Sequence, residues 1–193
     1  MSKVSIIIGL PGSGKSTLIN KLNSERVDIV MSDYGWKSPI DKDGNIVTPF
    51  NEEYRFNDLL KFIEQGKNVL LDGSCFCNHR FLCESEFYLN LNFPNIEIEK
   101  IYFENNPKDA TANVLYREYV GGNHWKMVDG RLIFFGHHFM EEGQNKGKRM
   151  YEVIINNINI LSKNYIIPSK FTPLKINLQD EKFYQGWKSL IRE

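Results

Sequence analysis

Short apolar runs closed by glycine or aspartate alternate, through the first half of this chain, with stretches of helical period. Lys3 to Gly9 is the first such run and reads as a buried strand. Lys15 to Leu22 follows as a helix. Val27 to Met31 is a second apolar run, closed by Ser32-Asp33. Residues 37 to 49 read as a loop or small hairpin with Asp43-Gly44 as its turn signal. Phe56, Leu59, Leu60 and Ile63 recur at the spacing of one apolar helix face, and Gly66 stops that helix. Asn68 to Leu71 forms a third strand ending at Asp72-Gly73. Arg80 to Leu91 reads as a helix ended by Pro94, and Ile96 to Phe103 as a fourth strand. Asn106-Pro107 starts the next helix, with Asn as cap and Pro in the first turn, and the helix runs to about Arg117.

Residues 119 to 147 break the pattern. They hold six glycines, among them Gly121, Gly122, Gly130, Gly136 and Gly143, and no sustained period, which predicts an inserted lid. Beyond it, Tyr151, Ile154, Ile155 and Ile158 mark a helix. Tyr165 to Ile176 is extended and punctuated by Pro168 and Pro173, and about Glu181 to Ile191 forms a last helix. This order predicts an α/β fold: one domain over residues 1 to 193, a parallel sheet of about four to five strands between two helical layers, and a lid at 119 to 147. Ligands of such sheets sit at the carboxyl ends of the strands. Gly9, Asp33 and Asp72 each close a predicted strand, so they are expected on one edge.

Gly9-Leu10-Pro11-Gly12-Ser13-Gly14-Lys15-Ser16 fits the phosphate-loop pattern G-x-x-x-x-G-K-S/T at every fixed position, and Thr17 follows. It lies after a strand and before a helix, as the motif requires. Glycines let successive backbone N–H groups turn toward phosphate oxygens, and the helix start adds partial positive charge. The motif implies a nucleoside triphosphate held by Gly9, Pro11, Gly12, Ser13, Gly14, Lys15, Ser16 and Thr17. Lys15 would reach the β- and γ-phosphates and Ser16 would face Mg²⁺. It does not say what the triphosphate is used for.

Phosphorylation of a hydroxyl needs a group to accept its proton and a metal site across the phosphates. Asp33 and Asp72 are the carboxylates that strand topology brings to the loop. Ser32-Asp33-Tyr34, Leu71-Asp72-Gly73-Ser74, Asn78-His79-Arg80, Tyr102-Phe103-Glu104, the Pro107 helix and its Arg117 follow the loop in an order that resembles the polynucleotide 5′-hydroxyl kinase group of P-loop kinases, which includes bacteriophage end-healing kinases. The resemblance covers most of residues 1 to about 118. It implies a P-loop NTPase fold with Lys15, Asp33 and Arg117 catalytic: Asp33 as general base on the attacking hydroxyl, Arg117 on the donor phosphates. It also implies that Asp72 holds Mg²⁺ through water and that Arg80 supports the acceptor side. Two departures fall on that side. The chain between Arg117 and Arg149 is longer than a compact lid, and Tyr34-Gly35-Trp36-Lys37 offers no arginine for a bidentate phosphate contact.

The 117 to 149 window carries His124, His137 and His138 with Arg117, Lys126, Arg131, Lys146, Lys148 and Arg149. Trp125, Phe134, Phe135 and Phe139 are interleaved. Such a loop could stack a base and contact phosphates, with Lys126 and Arg149 the candidates for the acceptor, or its aromatics could form a small core of their own. Cys75, Cys77, His79 and Cys83 lack the paired-knuckle spacing of structural zinc and read as three packed thiols. Asp41 to Glu52 resembles a calcium loop but has Ile46 where the sharp turn needs glycine.

The formal net charge is zero, with 24 basic and 24 acidic residues, which argues against tight binding along a duplex but not against gripping a strand end. An odd number of cysteines, no signal core and no apolar run of membrane-spanning length predict a cytoplasmic protein without a membrane partner. The expectation is a Mg²⁺- and ATP-dependent phosphotransferase acting on a hydroxyl, with the 5′ end of a nucleic acid as first acceptor. A nucleoside, nucleotide, modified base or other small molecule is the alternative acceptor. An NTP-dependent switch or assembly protein is the alternative class.

Overall fold

In the computed structural model, residues 2–22, 27–31, 56–120, 125–128, 131–134, 146 and 150–188 are described. Strand β1 (Lys3–Ile8) is buried from Val4 to Ile8. Its position explains this: it lies between β3 (Val69–Asp72) and β4 (Glu97–Tyr102), with β2 (Ile29–Met31) beyond β3, in a four-stranded parallel sheet of order β2-β3-β1-β4. A central parallel strand is covered on both faces and reads as a continuous apolar run. β4 instead alternates, because its outer positions meet water. There Glu97 and Glu99 pair with Lys3 at 3.0 and 3.2 Å, half-exposed contacts that add little stability.

The helices linking these strands are α1 (Lys15–Leu22), α2 (Phe56–Glu64) and α3 (His79–Asn92). The step from β1 to β2 runs opposite to the steps β2 to β3 and β3 to β4. Right-handed crossovers therefore put α1 on one face and α2 and α3 on the other. Gly66 closes α2 in the left-handed region, at φ 77°. A 3-10 turn at Ser74–Cys77 separates β3 from α3, whose first amides, those of Arg80 and Phe81, donate to the side chain of Asn78.

After β4 come α4 (Pro107–Val120), a hairpin of β5 (Trp125–Val128) and β6 (Arg131–Phe134), α5 (Met150–Asn164) and α6 (Glu181–Lys188). The Asn106 side chain accepts from the amide of Asp109, the cap expected of it. The hairpin corrects the reading of the lid as unpatterned: Val128 pairs with Arg131, so only Asp129-Gly130 separates the strands. Four residues a side are too few for alternation to register, but Asp-Gly is itself a hairpin signal. Leu115 and Phe183 form a small second core with Tyr116, Tyr151, Ile154 and Ile155, which joins α4, α5 and α6. The expected loop at 37 to 49 and the last residues of the final helix lie outside the described residues.

The extended stretch after α5 runs back to the sheet. Tyr165 donates its hydroxyl toward Ile8 O, at 3.0 Å, and toward Phe103 O, at the carboxyl ends of β1 and β4. Leu174 then makes a single parallel bridge to Phe103, donating to Tyr102 O at 2.7 Å and accepting from Glu104 N at 2.8 Å. The open edge of β4 is thus covered at the end nearest the loop that follows β1.

Candidate functional site

The Gly9–Thr17 segment leaves the end of β1 and turns into α1. Gly12 and Gly14 sit at φ 83° and 100°, where only glycine is unstrained. Gly12 also packs directly on α4: a Cβ there would lie 2.1 Å from the carbonyl oxygen of Ala110. Ser13 N donates to Leu10 O at 3.1 Å, and the Lys15 ammonium folds back to donate to Gly9 O and Leu10 O at 2.9 and 3.0 Å. The loop is therefore curled, backed by α4 and closed by its own lysine.

Asp72 ends β3 in register with Ile7 and is buried to 6% exposure. Cys77, fully buried in the 3-10 turn, feels the charges of both Lys15 and Asp72. Burial pushes its thiol up to about 12 and the Asp72 carboxylate adds to the rise, while Lys15 and the backbone of Gly9 oppose it. Cys75, also buried, is raised further for the same first reason.

A cleft of about 330 Å³ opens over this arrangement. Pro11, Gly12, Gly14, Lys15, Ser16 and Thr17 form its floor, and Asp72, Ser74, Asn113, Arg117 and Gln179 its walls. Arg117 reaches it from the last turn of α4. A second cleft of about 420 Å³ adjoins it, shares Gly14, Thr17, Asn113 and Gln179, and runs between α1 and the segment Leu174–Gln179 over Phe103. Asn113, 3% exposed, stands between the two.

Ser16, Thr17, Ser74 and Asp72 bring only oxygen atoms to the first cleft, a donor set of the kind Mg²⁺ takes. Among the described residues no group of three or more His, Cys, Asp or Glu could hold a metal by itself.

The predicted loop residues Pro11, Gly12, Gly14, Lys15, Ser16 and Thr17 are thus brought together with Asp72 and Arg117. Gly9 takes part through its carbonyl to Lys15, and Ser13 is buried beneath the loop. Arg80 is not brought there: it is exposed and pairs with Glu84 at 2.8 Å along α3. Asp33 and Arg149 lie outside the described residues. β2, which leads toward Asp33, ends at Met31 opposite Leu71, on the same edge as Asp72. Lys126 lies on β5 opposite Ile133.

The reading of three packed thiols holds for Cys75 and Cys77 but not for Cys83, which is exposed on α3 with its sulfur 3.6 Å from His79 Nε2. The sequence reading also missed Ser74, Asn113 and Gln179 as site residues. Nothing in the sequence separates Asn113 from an ordinary helix asparagine, because its role comes from partners about 64 to 101 positions away.

Among the described residues no helix is long and apolar enough to cross a membrane. No protein-family model matches the chain, and no curated protein matches it.

Proposed function

We propose that the protein is an ATP-dependent phosphotransferase that moves the γ-phosphate to a hydroxyl, with the 5′-hydroxyl end of a nucleic acid strand as acceptor. The observation that carries this reading is the convergence in one cleft of the Gly9–Thr17 loop, Asp72 and Arg117. A glycine-rich turn at a helix start offers N–H groups and a lysine to phosphates, and oxygen ligands stand beside it.

In the proposed reaction, the triphosphate lies along the loop and its nucleoside enters the adjoining cleft. Lys15 leaves the carbonyls of Gly9 and Leu10 for the β- and γ-phosphate oxygens. Arg117 neutralises charge on the transferring group from the wall of the cleft. A magnesium ion near Ser16 and Asp72 would supply further charge neutralisation across the β- and γ-phosphates. Asp33 accepts the hydroxyl proton as the hydroxyl oxygen bonds to the γ-phosphorus and the bond to the β-bridging oxygen breaks, leaving ADP and a phosphate ester. Zero net charge suits an enzyme that grips a strand end more than one that tracks a duplex.

The test is γ-labelled ATP with a panel of acceptors: 5′-hydroxyl DNA and RNA oligonucleotides, nucleosides, nucleoside monophosphates and hydroxymethylated DNA. Label is expected on the oligonucleotides. Asp33→Asn should lower transfer by at least ~100-fold while ATP still binds, the usual scale for a lost general base. Lys15→Ala should weaken both binding and turnover. Label on small acceptors alone would replace the nucleic acid as substrate. Hydrolysis without any labelled acceptor would point to a switch.

A further inference from the structure

Asn113 is the polar side chain that touches both sides of the site. Its Nδ2 donates to Gly12 O and to Asn177 O, each at 2.9 Å, and its Oδ1 accepts from Gln179 N at 2.9 Å. A carboxamide has two donors and an acceptor, and these three partners use all of them. They also fix its orientation, since a flipped amide would set its oxygen against two carbonyls. The residue is 3% exposed, so water does not compete for these bonds.

The partners belong to parts of the chain with different roles. Gly12 is the residue of the loop that presses on α4. Asn177 and Gln179 line the adjoining cleft. The other hydrogen bonds of that strip among the described residues run from Leu174 to the end of β4 and from Ile176 N to Glu104 Oε1 at 2.9 Å, and the Ile176 side chain is buried in the main core. Among the described residues, its hydrogen bonds toward the loop run through the Asn113 side chain.

We propose that Asn113 is a positioning residue that couples the phosphate loop to the 174–179 strip, so that filling the loop with phosphates orders the wall against which the nucleoside packs. Phosphate oxygens drawing on the loop's N–H groups fix the Gly12 peptide. Asn113 carries that constraint to Asn177 and Gln179. The nucleoside then meets a wall already in place, and its binding is strengthened by a ligand group it does not touch.

This inference rests on the nucleotide-binding reading, and the experiment separates the two. Magnesium tripolyphosphate fills the loop and leaves the adjoining cleft empty. Hydrogen exchange of the full chain is followed over residues 174–180 with and without it, alongside the affinities for tripolyphosphate and ATP. In the wild type, tripolyphosphate alone should slow exchange of that strip. In Asn113→Leu, which keeps about the size and adds no charge but loses both donors and the acceptor, tripolyphosphate should still bind and the slowing should vanish. The preference for ATP over tripolyphosphate should fall about tenfold, the scale of one or two lost hydrogen bonds. A wild-type strip indifferent to tripolyphosphate would overturn the coupling, and that arm decides the matter even if the variant does not fold. A folded Asn113→Leu that behaves as wild type in both measurements would overturn it too. A wild-type protein that binds neither ligand would instead remove the nucleotide reading beneath it.

Discussion

A methyl group added at Gly12 would meet the carbonyl oxygen of Ala110 at 2.1 Å, and it would do so at φ 83°, where an L side chain is already strained. At Gly14 the strain is similar, but the nearest atom is a Phe103 ring carbon at 3.7 Å. Urea denaturation should separate the two. Gly12→Ala is expected to cost more than about 2 kcal/mol and Gly14→Ala about 1 kcal/mol, the strain alone. The sequence motif fixes Gly14 but leaves Gly12 at a variable position, because what Gly12 must fit is α4, some hundred residues away. Cys77 makes a second prediction. Unfolded, its thiol titrates near 9.0; folded, only near 12. Between these values the unfolded chain holds fewer protons, so stability falls as pH rises, by about 1.4 kcal/mol per pH unit. Below pH 9 the effect is flat. Urea midpoints at pH 8, 9.5 and 10.5 should show this fall, with Cys75 adding in the same direction, and Cys77→Ala should make it shallower.

At the scale of elements, most of the fold was legible. The described strands and α-helices up to about residue 118 lie where the apolar runs and the 3.6-residue period put them. A buried parallel sheet writes itself into the sequence as uninterrupted apolar runs. What was not legible depends on contacts distant in sequence. The 165–180 stretch reads only as extended and proline-punctuated, yet it ties the ends of β1 and β4 together through Tyr165 and lines a cleft through residues 174–179. Tyr165→Phe tests the first role. Ile8 O keeps the amide of Phe103 as donor, while Phe103 O loses the hydroxyl. A loss of about 1–2 kcal/mol is expected in chemical denaturation. A change within ~0.3 kcal/mol would show that the strand ends need no such tie.

For the whole molecule, the balance of 24 basic and 24 acidic residues sets how a nucleic acid could be held. An acceptor gripped at one end engages few phosphates. Binding of a 5′-hydroxyl oligonucleotide, followed by fluorescence anisotropy, should therefore weaken with salt at a log–log slope of about −1 to −2, not the roughly −6 or steeper of a protein that neutralises many phosphates. A steep slope would mean a basic track that the composition does not suggest. The loop side of the candidate site, residues 9 to 17, could be read from the sequence because it is local. The acceptor half could not, because its candidates are scattered over Asp33, Arg80, Lys126 and Arg149, of which Arg80 turns out to be engaged with Glu84 at the surface.

The bridge from Phe103 to Leu174, and the strip that follows it, have a consequence in time. A ribosome delivers the loop of residues 9 to 17 well before the wall at 174 to 179. Between those two points a growing chain carries the recognisable motif without the wall that completes the candidate site. A ribosome that stalls, or a protease that removes the residues beyond Pro173, leaves a product with every fixed position of the loop intact and one side of the site missing.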